Sequence, residues 1–360
     1  MNATPTDLPD STHLLSTERS AGDATRIPSS PPVIVPVQQG KEGYLWSVMI
    51  PSYNCTQYLA TTITSVLQQD TGTNMQIEVI DDYSTDGDVE TVVKEVGKGR
   101  VGYYRQPRNV GSLRNFETCI NRAKGKWVHI LHGDDLVHSG FYNEIETLFK
   151  LDEHIGAAFV NNSTIDAGGK VKSVHPNILP APGIIPDFLY QIAKYQRLEP
   201  PAIVVKRSVY EKLGSFYAVH YGEDWEMWTR IAANYKVAYS PKILASYRAL
   251  KVGNISSISI STGQNLTDLL KVIDLIQPLL PPDKRDAIKR YSIRHYAIYS
   301  IKLAHGLIGH NNKAAILQVK AAWRLDRSAK SFYWLSKFFA KYLMASVVPG
   351  NTTKVKTKPA

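Results

Sequence analysis

The chain has little cysteine: among its 360 residues only Cys55 and Cys119 carry thiols. Two cysteines are too few for a disulfide framework or for a zinc-ribbon pattern. Free cysteine usually behaves as a small buried hydrophobe. We therefore expect two reduced, packed thiols, which is typical of a protein from a reducing compartment.

The chain also lacks long hydrophobic runs. No uninterrupted apolar stretch reaches the roughly 18 residues that indicate a transmembrane helix, and the first residues contain no apolar signal-peptide core. These features predict a cytoplasmic protein.

Negative charge is scarce near the C-terminus. From residue 281 onward there are 16 Lys/Arg and three Asp/Glu, in a chain whose formal net charge is +10. Such a basic region favours an anionic membrane surface, a nucleic acid or an acidic partner. No helix-turn-helix, RNA-binding or OB-fold pattern is present, so we do not expect nucleic acid. The aromatic segment 332–344, with Lys337 and Lys341 one turn apart, is typical of a helix at the membrane interface of a peripheral protein. It is also compatible with a helix packed on an α/β domain elsewhere in the chain or on a second subunit.

Composition and periodicity divide the chain into four regions. Residues 1–42 are rich in Ser, Thr, Pro and Asp, which predicts a disordered arm. Apolar strands alternate with amphipathic helices over 43–263, and this predicts an α/β domain with a mostly parallel sheet. Within that region, the small and polar stretch 249–263 predicts a mobile loop. Helical periodicity covers 264–348, and residues 349–360 resemble a disordered tail.

Polar loops follow three of the predicted strands: "PSYNC", "DDYSTDGD" and "HGDD". Carboxyl ends of parallel strands gather on one edge of an open α/β sheet, and ligands bind there. Asp134 and Asp135 in the third loop form a hard-oxygen pair suited to Mg²⁺ or Mn²⁺ together with a substrate diphosphate. Taken alone, an Asp-Asp pair is more often a solvated turn. Asp81 and Asp82 could accept hydrogen bonds from a ribose or a base, or could simply shape a turn.

Other candidate residues are ambiguous when read singly. Glu223 and Asp224 open a predicted helix, where acids favour the helix dipole, but a carboxylate there could also be a general base. Arg114 could contact a nucleotide or lie on a solvated helix face. Arg248 could close over a diphosphate or serve as an ion-pair partner.

The order of these motifs carries more information than any one of them. The segments "VMIPSYNCTQYLATTITSVLQQ", "IEVIDDYSTDGD", "NVGSLRN", "AKGKWVHILHGDD" and "KLGSFYAVHYGEDWEMWTRIA" follow one another between about residues 45 and 250. In this order and spacing the chain resembles the family-2 glycosyltransferases. The resemblance implies the GT-A fold, a Rossmann-like sheet flanked by helices, here followed by an all-helical C-terminal extension.

The resemblance also implies roles for individual residues. Pro51, Tyr53 and Asp82, with Asp81 beside it, match the donor nucleotide site. Asp134 matches the second acid of the family's DxD motif, a metal ligand that also contacts the donor, and Asp135 matches an assisting acid. Asp224 matches the base that activates the acceptor. Trp225 and Trp228 match a helix beneath the acceptor site, or belong to the core. His132 replaces the first acid of DxD, and could contact a ribose or phosphate or ligate a metal.

We therefore expect an inverting, metal-dependent glycosyltransferase that uses a UDP-, dTDP- or GDP-sugar and a glycan or lipid-linked acceptor, in polysaccharide or glycan biosynthesis. A nucleotidyltransferase is disfavoured because "IPSYNCTQY" contains neither the glycine nor the lysine of a phosphate loop. The alternative is a catalytically impaired homologue that binds sugar nucleotide or serves as a scaffold. Only His132 favours that alternative.

Overall fold

The structure is a computed structural model, and it describes residues 26–37, 43–69, 72, 74–250 and 254–347. A ten-stranded mixed sheet runs through it in the order β3-β2-β1-β4-β9-β6-β10-β5, with β7 pairing to β6 and β8 to β10. The strands are β1 (Trp46–Ser52), β2 (Met75–Asp81), β3 (Gly102–Arg105), β4 (Trp127–Ile130), β5 (Leu136–Val137), β6 (Ile155–Ile165), β7 (Val171–Val174), β8 (Gly183–Ile184), β9 (Ile203–Lys206) and β10 (Lys236–Arg248).

The sheet is mostly parallel, as predicted. Strands β3, β2, β1 and β4 run parallel to one another, and so do β6 and β10. Strand β9 lies antiparallel between β4 and β6, so the two parallel groups point the same way. The carboxyl ends of β1, β2 and β4 therefore meet on one edge.

Helices cover both faces of the sheet. They are α1 (Thr56–Leu67), α2 (Val89–Gly97), α3 (Ser112–Arg122), α4 (Phe141–Phe149), α5 (Phe188–Ile192), α6 (Arg207–Leu213), α7 (Glu223–Asn234), α8 (Ile255–Thr262), α9 (Gln264–Ile276), α10 (Pro282–Leu307), α11 (Asn312–Leu325) and α12 (Ala329–Val347). One core joins α1, α2 and α4 to the sheet through residues such as Leu59 and Ile145. The other joins α3, α7 and α9, with Phe116 and Trp228 among its members. Both cysteines are free and buried, which confirms the predicted packed thiols.

The stretch 249–263 differs from the predicted mobile loop, because it contains helix α8. The Asn254 side chain accepts a hydrogen bond from the Ser257 amide at 2.8 Å, which satisfies a free donor of the first turn. Ser259 is buried against neighbouring helices. The loop prediction is therefore wrong for α8, while residues 251–253 lie outside the described residues. Strand β10 follows α7 as one strand with irregular pairing around Ser240 and Ile243.

Part of the predicted disordered arm packs on the α/β domain. Ile34 is 1% exposed, the Ser215 amide donates to the Pro32 carbonyl at 2.9 Å, and Arg207 donates to the Val35 carbonyl at 2.9 Å. Residues 26–37 thus differ from the disorder prediction. The remainder of that arm and the predicted tail 349–360 lie outside the described residues.

The C-terminal region is helical from α9 onward, as predicted. Helix α9 packs on α7 and contributes Leu269 to the core of the α/β domain that contains Phe116 and Trp228. Helices α10, α11 and α12 share a second core with Ile301, Val319 and Phe338 at its centre. Among the described residues, none of the helices is both long and apolar enough to cross a bilayer.

Candidate active site

Three strand ends meet at the predicted ligand edge. The Asp82 amide donates to the Ser52 carbonyl at 2.8 Å, and the Gly133 amide donates to the Pro51 carbonyl at 3.0 Å. These bonds continue the β1–β2 ladder by one residue and the β1–β4 pairing by three, since the Leu131 amide also donates to the Met49 carbonyl at 3.0 Å. They bring the loops after β1, β2 and β4 side by side, as the sequence predicts.

The loop after β4 gathers three groups that can hold a metal ion. Ligand atoms of His132, Asp134 and Asp135 all lie within 4.8 Å of one another. The Asp135 Oδ1 atom accepts a hydrogen bond from the Arg248 amide at 2.8 Å. Its other oxygen, Oδ2, is buried and has no hydrogen-bond partner among the described residues. A buried carboxylate oxygen without a donor is costly, and a divalent cation would satisfy it, so the residues present fit Mg²⁺ or Mn²⁺.

His132 is suited to ligation as a neutral imidazole. Its ring stacks on Phe116 with centroids 5.3 Å apart and planes 5° from parallel. Burial lowers the pKa of His132 to about 4, so the ring is uncharged near neutral pH. Neutral imidazole is the form that binds metals. The substitution of the first acid of DxD therefore keeps a potential ligand at this position.

The fold disfavours the ionised forms of the two neighbouring carboxyl groups, Asp134 and Asp135. Burial raises the pKa of Asp134 to about 6. Burial, and then the charge of Asp134, raise the pKa of Asp135 well above its usual value. A divalent cation between them would favour the ionised forms of both.

The Arg248 side chain stabilises the loop after β4 through hydrogen bonds. Its Nε donates to the Asp134 carbonyl at 2.7 Å, and its Nη1 donates to the Asp166 and Ala167 carbonyls at 3.0 Å each. The guanidinium also lies 4.5 Å from the centre of the Tyr58 ring. These contacts stabilise the loop after β4, and the contact of Arg248 with a diphosphate stays a prediction.

The loop after β2 is built around two buried carboxylates. Asp81 accepts from the Ser84 amide at 2.8 Å and from the Tyr103 hydroxyl at 3.0 Å. Asp82 accepts from the Val110 amide at 2.7 Å and the Gly111 amide at 2.9 Å. Both side chains therefore fix the walls of this edge, and any contact with a nucleotide would add to these bonds.

The other predicted donor-site residues are more peripheral. Pro51 is buried near the C-terminal end of strand β1, whereas Tyr53, which follows that strand, is 51% exposed. Arg114 lies in the first turn of α3 and pairs with Glu117 at 2.8 Å.

The predicted base lies at the start of α7. One Asp224 oxygen accepts from the Gln196 side chain at 2.6 Å, and the other accepts from the Trp225 amide at 2.7 Å. Burial raises the pKa of Asp224 to about 6. Burial, and then the Asp224 charge, raise the pKa of Glu223 well above its usual value. A carboxylate with a pKa near 6 is ionised at neutral pH and is a stronger base than an ordinary aspartate.

A small cavity of about 10 Å³, room for about one water molecule, lies between His132 and Asp224. Glu223, Asp224 and His132 line it, together with Phe116, Pro200 and Trp228. One apolar-walled cavity therefore joins a potential metal ligand to a potential base, although the two motifs are about 90 residues apart in sequence.

Trp225 does not take part in this cavity. It is fully buried, its indole Nε1 donates to the Ile192 carbonyl at 2.6 Å, and its ring packs 4.9 Å from that of Tyr296. These contacts favour the second interpretation of Trp225, a place in the core, over a contact with the acceptor or diphosphate, because the side chain points to the core side of α7.

Glu199 is a site residue that the sequence reasoning missed. It precedes Pro200 in the cavity wall, and its main chain accepts from the Ala202 amide at 3.1 Å. Burial, and then the Asp224 charge, raise the pKa of Glu199 to about 8. The Glu199 charge in turn contributes to the raised pKa of Asp135. Glu199 therefore interacts both with an acid of the loop after β4 and with Asp224 at the start of α7. The segment "LEPPA" contains no spacing signature that marks it.

The chain is similar to known glycosyltransferases. The model of "Glycosyl transferase family 2" matches residues 47–214. An uncharacterized glycosyltransferase of Haemophilus influenzae is 25% identical over 233 residues, which cover 62% of this chain and 70% of that protein.

Two solved structures share the fold. Staphylococcus aureus TarS 1–349 in complex with UDP-GlcNAc superposes with a TM-score of 0.59 at 18% identity, covering 82% of this chain and 89% of that one. The mannosyltransferase PcManGT from Pyrobaculum calidifontis, in complex with GDP-Man and Mn²⁺, gives a TM-score of 0.52 at 18% identity, covering 89% of this chain and 85% of that one. Together with the strand-end loops, these matches support a glycosyltransferase: residues 47–214 match the family-2 model, and the chain shares the GT-A fold of the two solved structures.

Proposed function

We propose that the protein is an inverting, metal-dependent glycosyltransferase that moves a sugar from a nucleoside-diphosphate donor to a hydroxyl acceptor. The observation that carries this proposal is the shared cavity of His132, Glu223 and Asp224, beside the unpartnered Oδ2 of Asp135. The donor is a UDP-, dTDP- or GDP-sugar, and the acceptor is a glycan or a lipid-linked sugar. The reaction serves polysaccharide or glycan biosynthesis in the cytoplasm, for which two buried reduced thiols are appropriate.

The donor nucleotide lies against the β1 and β2 ends. Pro51, Tyr53 and the Asp81–Asp82 loop form its base and ribose side, with Arg114 at the margin. The buried carboxylates keep this wall rigid because their oxygens accept hydrogen bonds from the Val110 and Gly111 amides and from Tyr103. A rigid wall orients the donor without a cost in ordering at the time of reaction.

Asp134, Asp135 and His132 hold Mg²⁺ or Mn²⁺ at the donor diphosphate. When bound, the ion neutralises the negative charge that develops on the leaving diphosphate. Arg248 and Thr62 keep the loop in place: the Thr62 hydroxyl donates to the Gly133 carbonyl at 3.0 Å and to the Asp135 carbonyl at 2.8 Å.

Asp224 acts as the general base. Its carboxylate takes the proton of the acceptor hydroxyl while that oxygen forms a bond to the anomeric carbon, and the bond from that carbon to the diphosphate oxygen breaks. The products are the glycosylated acceptor and a nucleoside diphosphate. A single displacement inverts the anomeric configuration, and it needs no enzyme nucleophile. Gln196 supports this role because its donated hydrogen bond orients the carboxylate.

A donor screen tests the proposal. The purified chain is incubated with Mn²⁺ and UDP-GlcNAc, UDP-glucose, UDP-galactose, dTDP-glucose or GDP-mannose, and both the thermal midpoint and the release of nucleoside diphosphate are measured. We expect one donor class to stabilise the chain only with the metal and to be slowly hydrolysed. Metal-dependent binding with no hydrolysis or transfer would favour the non-catalytic alternative. The absence of any binding would overturn the proposed function.

A further inference from the structure

Helix α12 exposes a continuous apolar stripe. Phe332, Phe339 and Leu343 are 64%, 46% and 63% exposed. At 100° per residue these three side chains lie within about 40° of one another around the helix axis. Tyr333 and Met344, 51% and 64% exposed, widen the stripe on one side.

The opposite face of α12 is already used for packing. Ser331, Leu335 and Phe338 are buried, and the latter two belong to the core that α12 shares with α10 and α11. The helix is therefore fixed in orientation by its inner face, and the outer stripe is available on a rigid support. The inner face packs on α10 and α11, whereas the sequence alternatives named the α/β domain, a second subunit or a membrane; the membrane alternative stays a prediction for the outer stripe.

The charge around the stripe has one sign. Residues 329–347 contain no Asp or Glu, and residues 302–347 contain eight Lys/Arg and one Asp. Lys330, Lys337 and Lys341 are exposed next to the Tyr333 and Met344 side of the stripe, about 140–180° around the helix axis from Phe332. The Lys337 ammonium lies 4.6 Å from the centre of the Tyr333 ring, so its alkyl chain follows the apolar surface.

We propose that this stripe of α12 docks on an anionic lipid bilayer. Phe332, Phe339, Leu343 and Met344 enter the boundary between headgroups and acyl chains, and the lysines at the border contact lipid phosphates. An amphipathic helix with an aromatic apolar face and a basic border binds membranes in this way. The attraction of basic residues to anionic lipid acts within about a Debye length of the surface.

Charge decides between a bilayer and a second copy of this chain. A symmetric dimer through α12 would bring two copies of the same basic patch together, since a two-fold interface uses one patch twice. With no acid on the helix to compensate, that contact is repulsive. An anionic lipid surface complements the same patch.

The inference stands on α12 alone and does not require the transfer reaction. If both hold, the docked helix brings the catalytic domain to acceptors that are anchored in lipid.

Vesicle flotation of the full-length protein tests the inference. We expect binding to phosphatidylcholine vesicles that contain phosphatidylglycerol, little binding to phosphatidylcholine alone, and weaker binding at high salt. The double variant Phe339→Ser with Leu343→Ser should lower binding by roughly tenfold, because two large side chains no longer enter the bilayer. The matched control is Val171→Ser with Val174→Ser, which removes apolar side chains that are 55% and 46% exposed on β7. This control should bind like the wild type.

Charge reversal gives an independent readout. Lys337→Glu with Lys341→Glu should lower binding to the anionic vesicles about twentyfold or more, given about a fivefold contribution from each basic residue. Lys94→Glu with Lys150→Glu makes the same change in net charge on α2 and next to α4 and should have little effect. Circular dichroism melting verifies that each variant folds. The proposal is overturned if the wild type does not float with anionic vesicles, if the α12 variants and their controls lose binding equally, or if the stripe variants only convert a dimer to a monomer in sedimentation.

Discussion

The Nδ1 atom of His132 lies 3.8 Å from the Oδ2 atom of Asp135, at the loop where β4 ends. These residues would hold a divalent metal ion, and the Oδ2 atom has no hydrogen-bond partner among the described residues. In this chain a histidine therefore occupies the position of an acid without removing a ligand atom from the cluster.

His132→Phe should weaken metal binding. The phenyl ring preserves the stacking on Phe116 but has no nitrogen to offer, so we expect the affinity for Mn²⁺ in the presence of UDP to fall about tenfold to a hundredfold. Calorimetry measures the effect, and His132→Asp, which restores a carboxylate, is the matched control that retains affinity. Equal Mn²⁺ affinity in the phenylalanine variant would remove His132 from the metal site.

The pH profile of transfer should be bell-shaped. With Mn²⁺ saturating, kcat/KM should fall as the pH drops through about 6, because Asp224 must be deprotonated to accept a proton. It should fall again above about 8, where Glu199 ionises and adds a second negative charge beside the base. Glu199→Gln cannot ionise, so this variant should lose the alkaline limb and keep the acidic one. Glu90→Gln, a change in an exposed residue of α2, should leave both limbs in place. An alkaline limb that persists in Glu199→Gln would contradict the proposed effect of the Glu199 charge on Asp224.

Asp224→Asn should stabilise the fold. The folded protein raises the pKa of this acid from 3.8 to about 6, so the folded state disfavours its ionised form. The destabilisation is absent below about pH 4, grows as the pH rises toward 6, and is constant above that. At neutral pH the variant should gain roughly 2–3 kcal/mol in free energy of unfolding.

Urea unfolding at acidic and at neutral pH measures that gain. Asp283→Asn, at a largely exposed position at the start of α10, should change the free energy of unfolding by less than about 0.5 kcal/mol. A loss of stability in Asp224→Asn at neutral pH would show that the charged carboxylate is well satisfied in the fold.

The sequence located the site because its signals are local. An apolar run followed by acids predicts a strand end, and three such ends must meet at one edge of a parallel sheet. Asp134, Asp135 and Asp82 were predicted to share one edge in this way, and the structure brings their loops together, while their roles stay predictions. The buried pairing of Asp82 with the Val110 and Gly111 amides was not, because it joins two loops that are separate in sequence.

The sequence did not predict the structural positions of Trp225, Glu199 and the segment 254–262, and each case has a physical reason. Trp225 and Trp228 are three apart on α7 and share a side of the helix, but periodicity does not say which of them reaches a cavity. Glu199 directly precedes the turn that leads into β9, and β9 inserts antiparallel between β4 and β6. Local sequence does not predict this strand order. The segment 254–262 is small and polar, yet the Asn254 cap and tertiary packing make it a helix.

The central claim is that Asp224 removes the acceptor's proton at a site where the donor is bound by other residues. Its most direct test measures transfer and donor binding together in Asp224→Asn, with the donor and acceptor identified by the screen. The account predicts that transfer falls by at least about a thousandfold, while the calorimetric affinity for the donor with Mn²⁺ changes by less than about threefold. Loss of donor affinity in parallel with transfer, or transfer that persists, would contradict it.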